Sequence, residues 1–101
     1  MNVYITQSNR KNKKWMANIP QLSNKWIHFG DNRYQDFTQH KSRDRQKAYI
    51  NRHLRREADL WDKTGIQTPS FWSKWLLWSR PNMEDAVRYM NTRFKLNIQF
   101  I

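Results

Sequence analysis

The chain has 101 residues, with 19 Lys or Arg against 8 Asp or Glu, a formal net charge of +11 and no cysteine. That length suits a single small basic domain over residues 1–101, with a modest core and no second unit, and the lack of cysteine removes disulfides and thiolate zinc sites. No apolar run approaches the roughly 18 residues of a spanning helix, and the opening "MNVYITQSNRKNKKW" lacks the layout of a signal peptide, so an intracellular protein without a membrane span is expected.

Charge of this size attracts polyanions: nucleic acid, acidic proteins or anionic lipid. Aromatic residues make up 15% of the chain, too many for a disordered basic tail, which lacks the apolar surface to offset chain entropy. The cations are therefore expected on a folded scaffold.

Val3 and Ile5 alternate with Tyr4 and Thr6, and Trp15, Ala17 and Ile19 alternate again up to Pro20, with the polar "QSNRKNKK" between them. This predicts a hairpin with a basic tip. A third strand over "KWIHF", residues 25–29, stops at the turn signal Gly30-Asp31-Asn32 and completes a meander. "RYQDFTQHK" carries no clear period and reads as a structured loop in which Tyr34 and Phe37 leave water.

Ser42 is the predicted N-cap of a helix over residues 43–57, with Asp44 in the first turn, where the helix dipole favours an anion. At about 100° per residue, Tyr49, Ile50, His53 and Leu54 share one face, and Arg45, Arg52, Arg55 and Arg56 the other. "ADLWDKTGIQ" is a connector, and Thr68-Pro69 reads as an N-cap followed by a first-turn proline. "FWSKWLLW", residues 71–78, is then a short helix ending before Pro81. Asn82 caps a last helix reaching about residue 94, with Met83, Val87, Met90 and Phe94 on one face, and "LNIQFI" alternates as a half-buried strand. The expected class is α+β: a small antiparallel sheet, made of the N-terminal meander and the C-terminal strand, with about three helices packed on it.

On the same wheel Phe71, Trp72, Trp75, Leu76 and Trp78 span a broad arc, while Leu77 falls on the far side between Ser73 and Lys74. Such breadth suits a core helix. It also makes Trp72, Trp75 and Trp78 candidate partner-binding residues, because Trp is enriched in interface hot spots.

Eleven of the 19 cations sit in two stretches: Arg10, Lys11, Lys13 and Lys14 in the hairpin, and Lys41, Arg43, Arg45, Lys47, Arg52, Arg55 and Arg56 on or beside the long helix. A merely solvated helix face gains from acids spaced four residues from its bases, and between residues 41 and 56 the one acid is Asp44. These cations are therefore the candidate nucleic-acid-binding set. The predominance of Arg on the helix suits bidentate contacts to phosphate, and nothing marks sequence-specific reading of bases.

Asp36 and His40, four apart, and His53 and Glu57, also four apart, form the best titratable constellation. A mixed oxygen and nitrogen metal site on these residues would suit a metal-dependent nuclease. The structural alternative is a polar core in which His53 is hydrogen-bonded to a loop carboxylate such as Asp36. The polar core is the expectation, with no catalytic residue, no metal and no cofactor, since no nucleophile–base spacing or phosphate-cradling glycine motif is present.

The run "FGDNRYQDFTQHKSRDRQKAYINRHLRRE", then "TPSFWSKWLLW" with Pro81 soon after, and the closing "RFKLNI" resemble a family of small basic proteins of unassigned function encoded by large DNA viruses of eukaryotes. The similarity covers about residues 25 to 98. Its most specific positions are Tyr34, Asp36, Phe37, Thr38 and His40, then Arg45, Tyr49, Arg52, His53 and Glu57, and the helix from Phe71 to Trp78. The chain departs from that pattern at Ser42, where an acid is usual, in a longer "EADLW", and at Pro69-Ser70, where small residues including glycine are common.

The resemblance implies a viral origin and supplies no activity. With the charge, it leads to the expectation of a non-enzymatic virion protein that binds polyanions, foremost nucleic acid without sequence preference. The alternative is a minor capsid or cement protein docking on acidic faces of larger capsid proteins through its basic face and Trp-rich helix. Either role places the protein in the virion, and in host-cell cytoplasm or nucleus during assembly, with no small-molecule substrate.

Overall fold

Alternation makes strands of both arms of the hairpin. In the computed structural model, which describes residues 1–101, β1 (Asn2–Gln7) pairs antiparallel with β2 (Lys13–Asn18), placing Ile5 opposite Ala17. β3 (Ile27–Asp31) pairs antiparallel with β2. It lies two residues further on than the sequence pattern suggests, because Gly30 does not end the strand. Gly30 stays within it at φ 80°, a backbone state that glycine adopts without steric cost.

The last strand, β4 (Asn97–Phe100), lies parallel to β1, with Val3 opposite Ile98, and the sheet order is β3-β2-β1-β4. The expected all-antiparallel sheet is therefore mixed. After β3 the chain builds its helices, crosses the sheet, and enters the far edge running in the direction of β1. A crossover of that length is what parallel pairing requires.

The segment read as an irregular loop contains a one-turn helix, α1 (Phe37–His40), held by a capping box. Asp36 accepts the Thr38 N–H at 2.9 Å, and the Gln39 side chain accepts the Asp36 N–H at 2.9 Å. Phe37 is buried as expected, whereas Tyr34 remains 69% exposed. α2 (Arg43–Glu57) begins at Ser42, whose hydroxyl accepts the Arg45 N–H. Two 3-10 turns, Ala58–Leu60 and Lys63–Gly65, fold the connector back on itself. They require Gly65, since a Cβ there would stand 2.0 Å from the Leu60 carbonyl oxygen.

α3 (Pro69–Trp72), capped by Thr68, continues into a π-helical turn over Ser73–Leu77. Hydrogen bonds from i to i+5 widen the turn, so each residue advances less around the axis than in an α-helix. The widening corrects the position of Leu77: instead of facing away with Lys74, it is 1% exposed and meets the sheet at Gly30. α4 (Met83–Phe94) starts at Asn82, whose side chain accepts the Asp85 N–H, and ends at left-handed Lys95.

Val3, Ile5, Ala17, Phe29 and Ile98 from the sheet form one core with Phe71, Trp72, Leu76 and Leu77 from the central helical segment and with Met90 and Phe94 from α4. The helices cover one sheet face. No helix is long and apolar enough to cross a membrane.

Candidate polyanion-binding face

α2 has 15 residues, a length of about 22 Å at 1.5 Å per residue. Its one buried residue is Tyr49. Ile50 and His53 are half-buried and Leu54 is exposed, so the apolar face read from the wheel narrows to a seam around Tyr49. Gln46 and Glu57 are also half-buried, and the remaining side chains of the helix are exposed.

Arg43, Arg45, Lys47, Arg52, Arg55 and Arg56 are all exposed. The salt bridges of the chain are Lys14–Asp36, Arg33–Asp31, His53–Glu57 and Arg88–Asp85, and none uses an Arg or Lys of α2. Glu57, the acid at the end of the helix, is held by His53 on the helix itself. Arg43 lies over the Phe37 ring at 5.4 Å from its centroid.

The hairpin cations divide. Arg10 and Lys11 are exposed at the tip, and Lys13 is half-buried. The Lys14 ammonium donates to Asp36 Oδ2 and Gln39 Oε1, each at 2.6 Å, with the Lys14 side chain 12% exposed and the Asp36 side chain 5%. A buried carboxylate needs such a partner, so Lys14 joins the hairpin to the α1 capping box and leaves the anion-contacting set. Lys41 is likewise engaged, donating to the Pro81 carbonyl at 2.6 Å.

A cleft of about 380 Å³ opens between the base of the hairpin, α2 and α3, with Lys13, Tyr34, Arg52, His53, Glu57 and Ser70 among its lining residues. Along it runs an aromatic column. Trp78 stacks on Tyr49 with centroids 4.2 Å apart, Tyr49 lies 4.2 Å from His53, and His40 lies 5.3 Å from Trp78. Burial lifts the Tyr49 phenol well above its ordinary pKa. Burial also pulls the Glu57 carboxyl upward, but hydrogen bonds from Ser70 and His53, with the charges of His53 and Arg56, outweigh it and hold Glu57 below its usual value.

Trp78 and Tyr49 separate His40 from His53, whereas Asp36, His53 and Glu57 line the same cleft, each held by its own partners. Asp36 is bound by Lys14 and Thr38, His53 Nδ1 by Glu57, and His40 Nδ1 accepts the Ser42 N–H at 2.9 Å. The predicted His53–Asp36 hydrogen bond is not made, because Glu57 satisfies His53 one turn along the same helix. No three His, Asp or Glu side chains come together as a metal-holding group. His40 Nε2 is buried without a partner, and burial together with the Arg45 charge holds the His40 pKa below its ordinary 6.5.

The tryptophans also divide. Trp72 is fully buried and Trp75 is 9% exposed, and their indole N–H groups donate to the carbonyls of Ile66 and Trp61 at 2.7 and 2.6 Å. These two are core residues and cannot serve as surface anchors in the free chain, whereas Trp78 is half-buried. The most exposed indole is Trp26, at 38%, in the loop before β3. Tyr34 and Ser70 in the cleft wall carry no periodic signal that would join them to Lys13; only the tertiary fold brings them together.

The model of a family of unknown function (DUF5754) matches residues 3–53, from β1 through most of α2. No curated protein and no solved structure matches the chain.

Proposed function

The chain belongs to the DUF5754 family of unknown function, and on that premise we propose that it is a non-enzymatic protein that binds polyanions, foremost nucleic acid without sequence preference. The contact surface is the outward face of α2 with the tip of the hairpin. One observation carries the reading: the α2 cations are exposed and none is paired with a carboxylate.

Arg45, Arg52 and Arg56, at intervals of seven and four, fall within about 40° of one another around the helix at about 100° per residue. They form a stripe that can follow a phosphate backbone. Guanidinium groups bind phosphate oxygens bidentately, and release of condensed counterions makes such binding strong at low salt and independent of base sequence. Lys13 and Arg52 in the cleft wall extend the positive surface towards the hairpin.

The viral setting rests on the resemblance carried by the Tyr34 to His40 and Phe71 to Trp78 segments. In that setting the polyanion is packaged nucleic acid. Docking on acidic faces of capsid proteins uses the same basic surface, but with Trp72 and Trp75 in the core it retains Trp78 alone of the expected anchors.

The test is the triple substitution Arg45→Ala, Arg52→Ala and Arg56→Ala, titrated with a DNA duplex across salt. Each lost phosphate contact flattens the slope of log K against log salt by about 0.9, so the variant should bind more weakly with a slope shallower by roughly 2 to 3. Unchanged affinity would remove the assignment.

A further inference from the structure

On the α4 side of the π-helical turn, Lys74, Arg80 and Arg93 gather around three aromatic rings, Trp61, Trp75 and Tyr89. The Lys74 ammonium stands 4.1 Å from the Trp75 ring centroid and 5.3 Å from that of Trp61. Arg93, in the last turn of α4, holds its guanidinium carbon 4.5 Å from the Trp75 centroid, and Arg80 holds its own 4.3 Å from that of Tyr89. Trp75 and Tyr89 are themselves in contact, with centroids 5.8 Å apart. The three charges therefore stand on one continuous aromatic plate.

None of the three meets a carboxylate, since the salt bridges of the chain lie elsewhere. Asp85 feels the charge of Arg80, but its carboxylate is bound by Arg88 and by the Asn82 side chain. Burial lowers the Lys74 pKa, and the charges of Arg93 and Arg80 lower it further, so the ammonium is both partly desolvated and repelled by its neighbours. The ring faces offset part of that repulsion and fix the positions of the cations. A guanidinium lying on a ring uses its face and leaves its in-plane N–H donors available. Arg93 directs one of these to the Tyr89 hydroxyl at 2.7 Å.

We propose that Lys74, Arg80 and Arg93 form a binding site for a phosphate-type oxyanion seated over the Trp75–Tyr89 plate. Two guanidinium forks and one ammonium exceed what a single carboxylate can neutralise. A phosphoryl group, with a charge of about −1.5 to −2 and three acceptor oxygens, matches them. The site is independent of the α2 face: α2 packs on the Trp78 end of the helical segment, and none of its cations takes part.

The experiment uses the whole chain and inorganic phosphate, with tryptophan fluorescence as the readout because Trp75 and Trp61 border the site, at ionic strength held constant with chloride. Phosphate should give a saturable change that is lost in the Arg80→Ala/Arg93→Ala variant and kept in the α2 triple variant. Arg80 and Arg93 are exposed, so circular dichroism of their variant should match the parent. Lys74→Gln, which keeps the stem and removes the charge, should weaken phosphate by about tenfold, the scale of a lost charge-assisted hydrogen bond.

A second titration, with a single-stranded oligonucleotide of about ten nucleotides, identifies the source of the oxyanion. Weaker oligonucleotide binding by Arg80→Ala/Arg93→Ala assigns the site to a backbone phosphate, and unchanged oligonucleotide binding with loss of inorganic phosphate assigns it to a small phosphorylated ligand. A non-saturating response in the parent chain, or an equal response in the parent and Arg80→Ala/Arg93→Ala, would overturn the site. If only the α2 triple variant fails to bind DNA while phosphate still saturates, the two assignments stand separately.

Discussion

Trp78 lies flat against Tyr49, with ring centroids 4.2 Å apart and ring planes 4° apart. The stack joins the one buried residue of α2 to the end of the π-helical turn, and the Gln46 amide reinforces it by donating to the Trp78 and Ser79 carbonyls at 2.9 and 3.2 Å. At about 100° per residue Arg45, Arg52 and Arg56 lie within about 60° of Tyr49 around the helix, so the contact that seats Tyr49 also fixes these exposed cations along the border of its seam. The orientation of the charged face thus depends on a small aromatic contact.

A double-mutant cycle on Tyr49→Leu and Trp78→Leu, followed by urea unfolding, should return a coupling of about 0.5–1.5 kcal/mol, the range for aromatic pairs beyond their buried area. Additive losses would mean that α2 is held by other contacts.

The two glycines should respond differently to alanine. At Gly65 the new methyl would meet the Leu60 backbone at 2.0 Å, with atoms that cannot yield without moving the connector. At Gly30 the nearest obstacle, at 2.8 Å, is the tip of the Leu77 side chain, and the further cost is the left-handed backbone, about 1–2 kcal/mol. Gly65→Ala should therefore cost more than about 3 kcal/mol, in the range reserved for severe steric conflict, and Gly30→Ala less. Urea midpoints that rank them the other way would contradict this placement of the connector.

Acid should loosen the fold through His40 and His28. The His40 pKa is lowered by burial and by Arg45, and that of His28 by burial, Arg10 and Lys13. With the folded pKa below the ordinary 6.5, the unfolded chain binds more protons in this window, so stability rises with pH there. The contribution is complete above about pH 6.5 and is lost as pH falls through the folded values. At His40 the cause is visible, because protonation puts a hydrogen on the Nδ1 that accepts the Ser42 N–H. Stability measured by urea from pH 7 to pH 5 should fall, and His40→Gln should flatten the dependence. A parent chain equally stable across that range would refute it.

Acrylamide, a neutral quencher, should reach Trp26 before the other indoles, because Trp26 is 38% exposed while Trp61, Trp72 and Trp75 are buried. Trp26→Phe should remove most of the readily quenched emission. Quenching that survives this substitution would place the exposed indole at Trp15 or Trp78, the two half-buried tryptophans, and contradict the ranking.

Much of this architecture is legible in residue order. The caps Ser42, Thr68 and Asn82 all accept the backbone N–H groups their positions imply, because capping is a contact between residues three apart. The strands of the hairpin follow from alternation for the same local reason. The direction of β4 is not local: it depends on which edge the chain reaches after its crossover. A wheel drawn at a fixed angle cannot anticipate the π-helical turn that brings Leu77 to the sheet. Lys14 counts as a surface cation until the fold sets it beside buried Asp36. Lys74 and Arg93, nineteen positions apart, share a ring only because α4 packs on the central helical segment.

The central claim is that the unpaired α2 cations bind polyanions without regard to sequence. It is tested most directly by fluorescence anisotropy of the purified chain with two labelled DNA duplexes of unrelated sequence, titrated across salt. The account predicts a steep linear fall of log K with log salt, of similar slope and affinity for both duplexes, as several phosphate contacts require. Negligible binding at moderate salt, despite a formal charge of +11, would contradict it and leave the basic face as a surface for docking proteins.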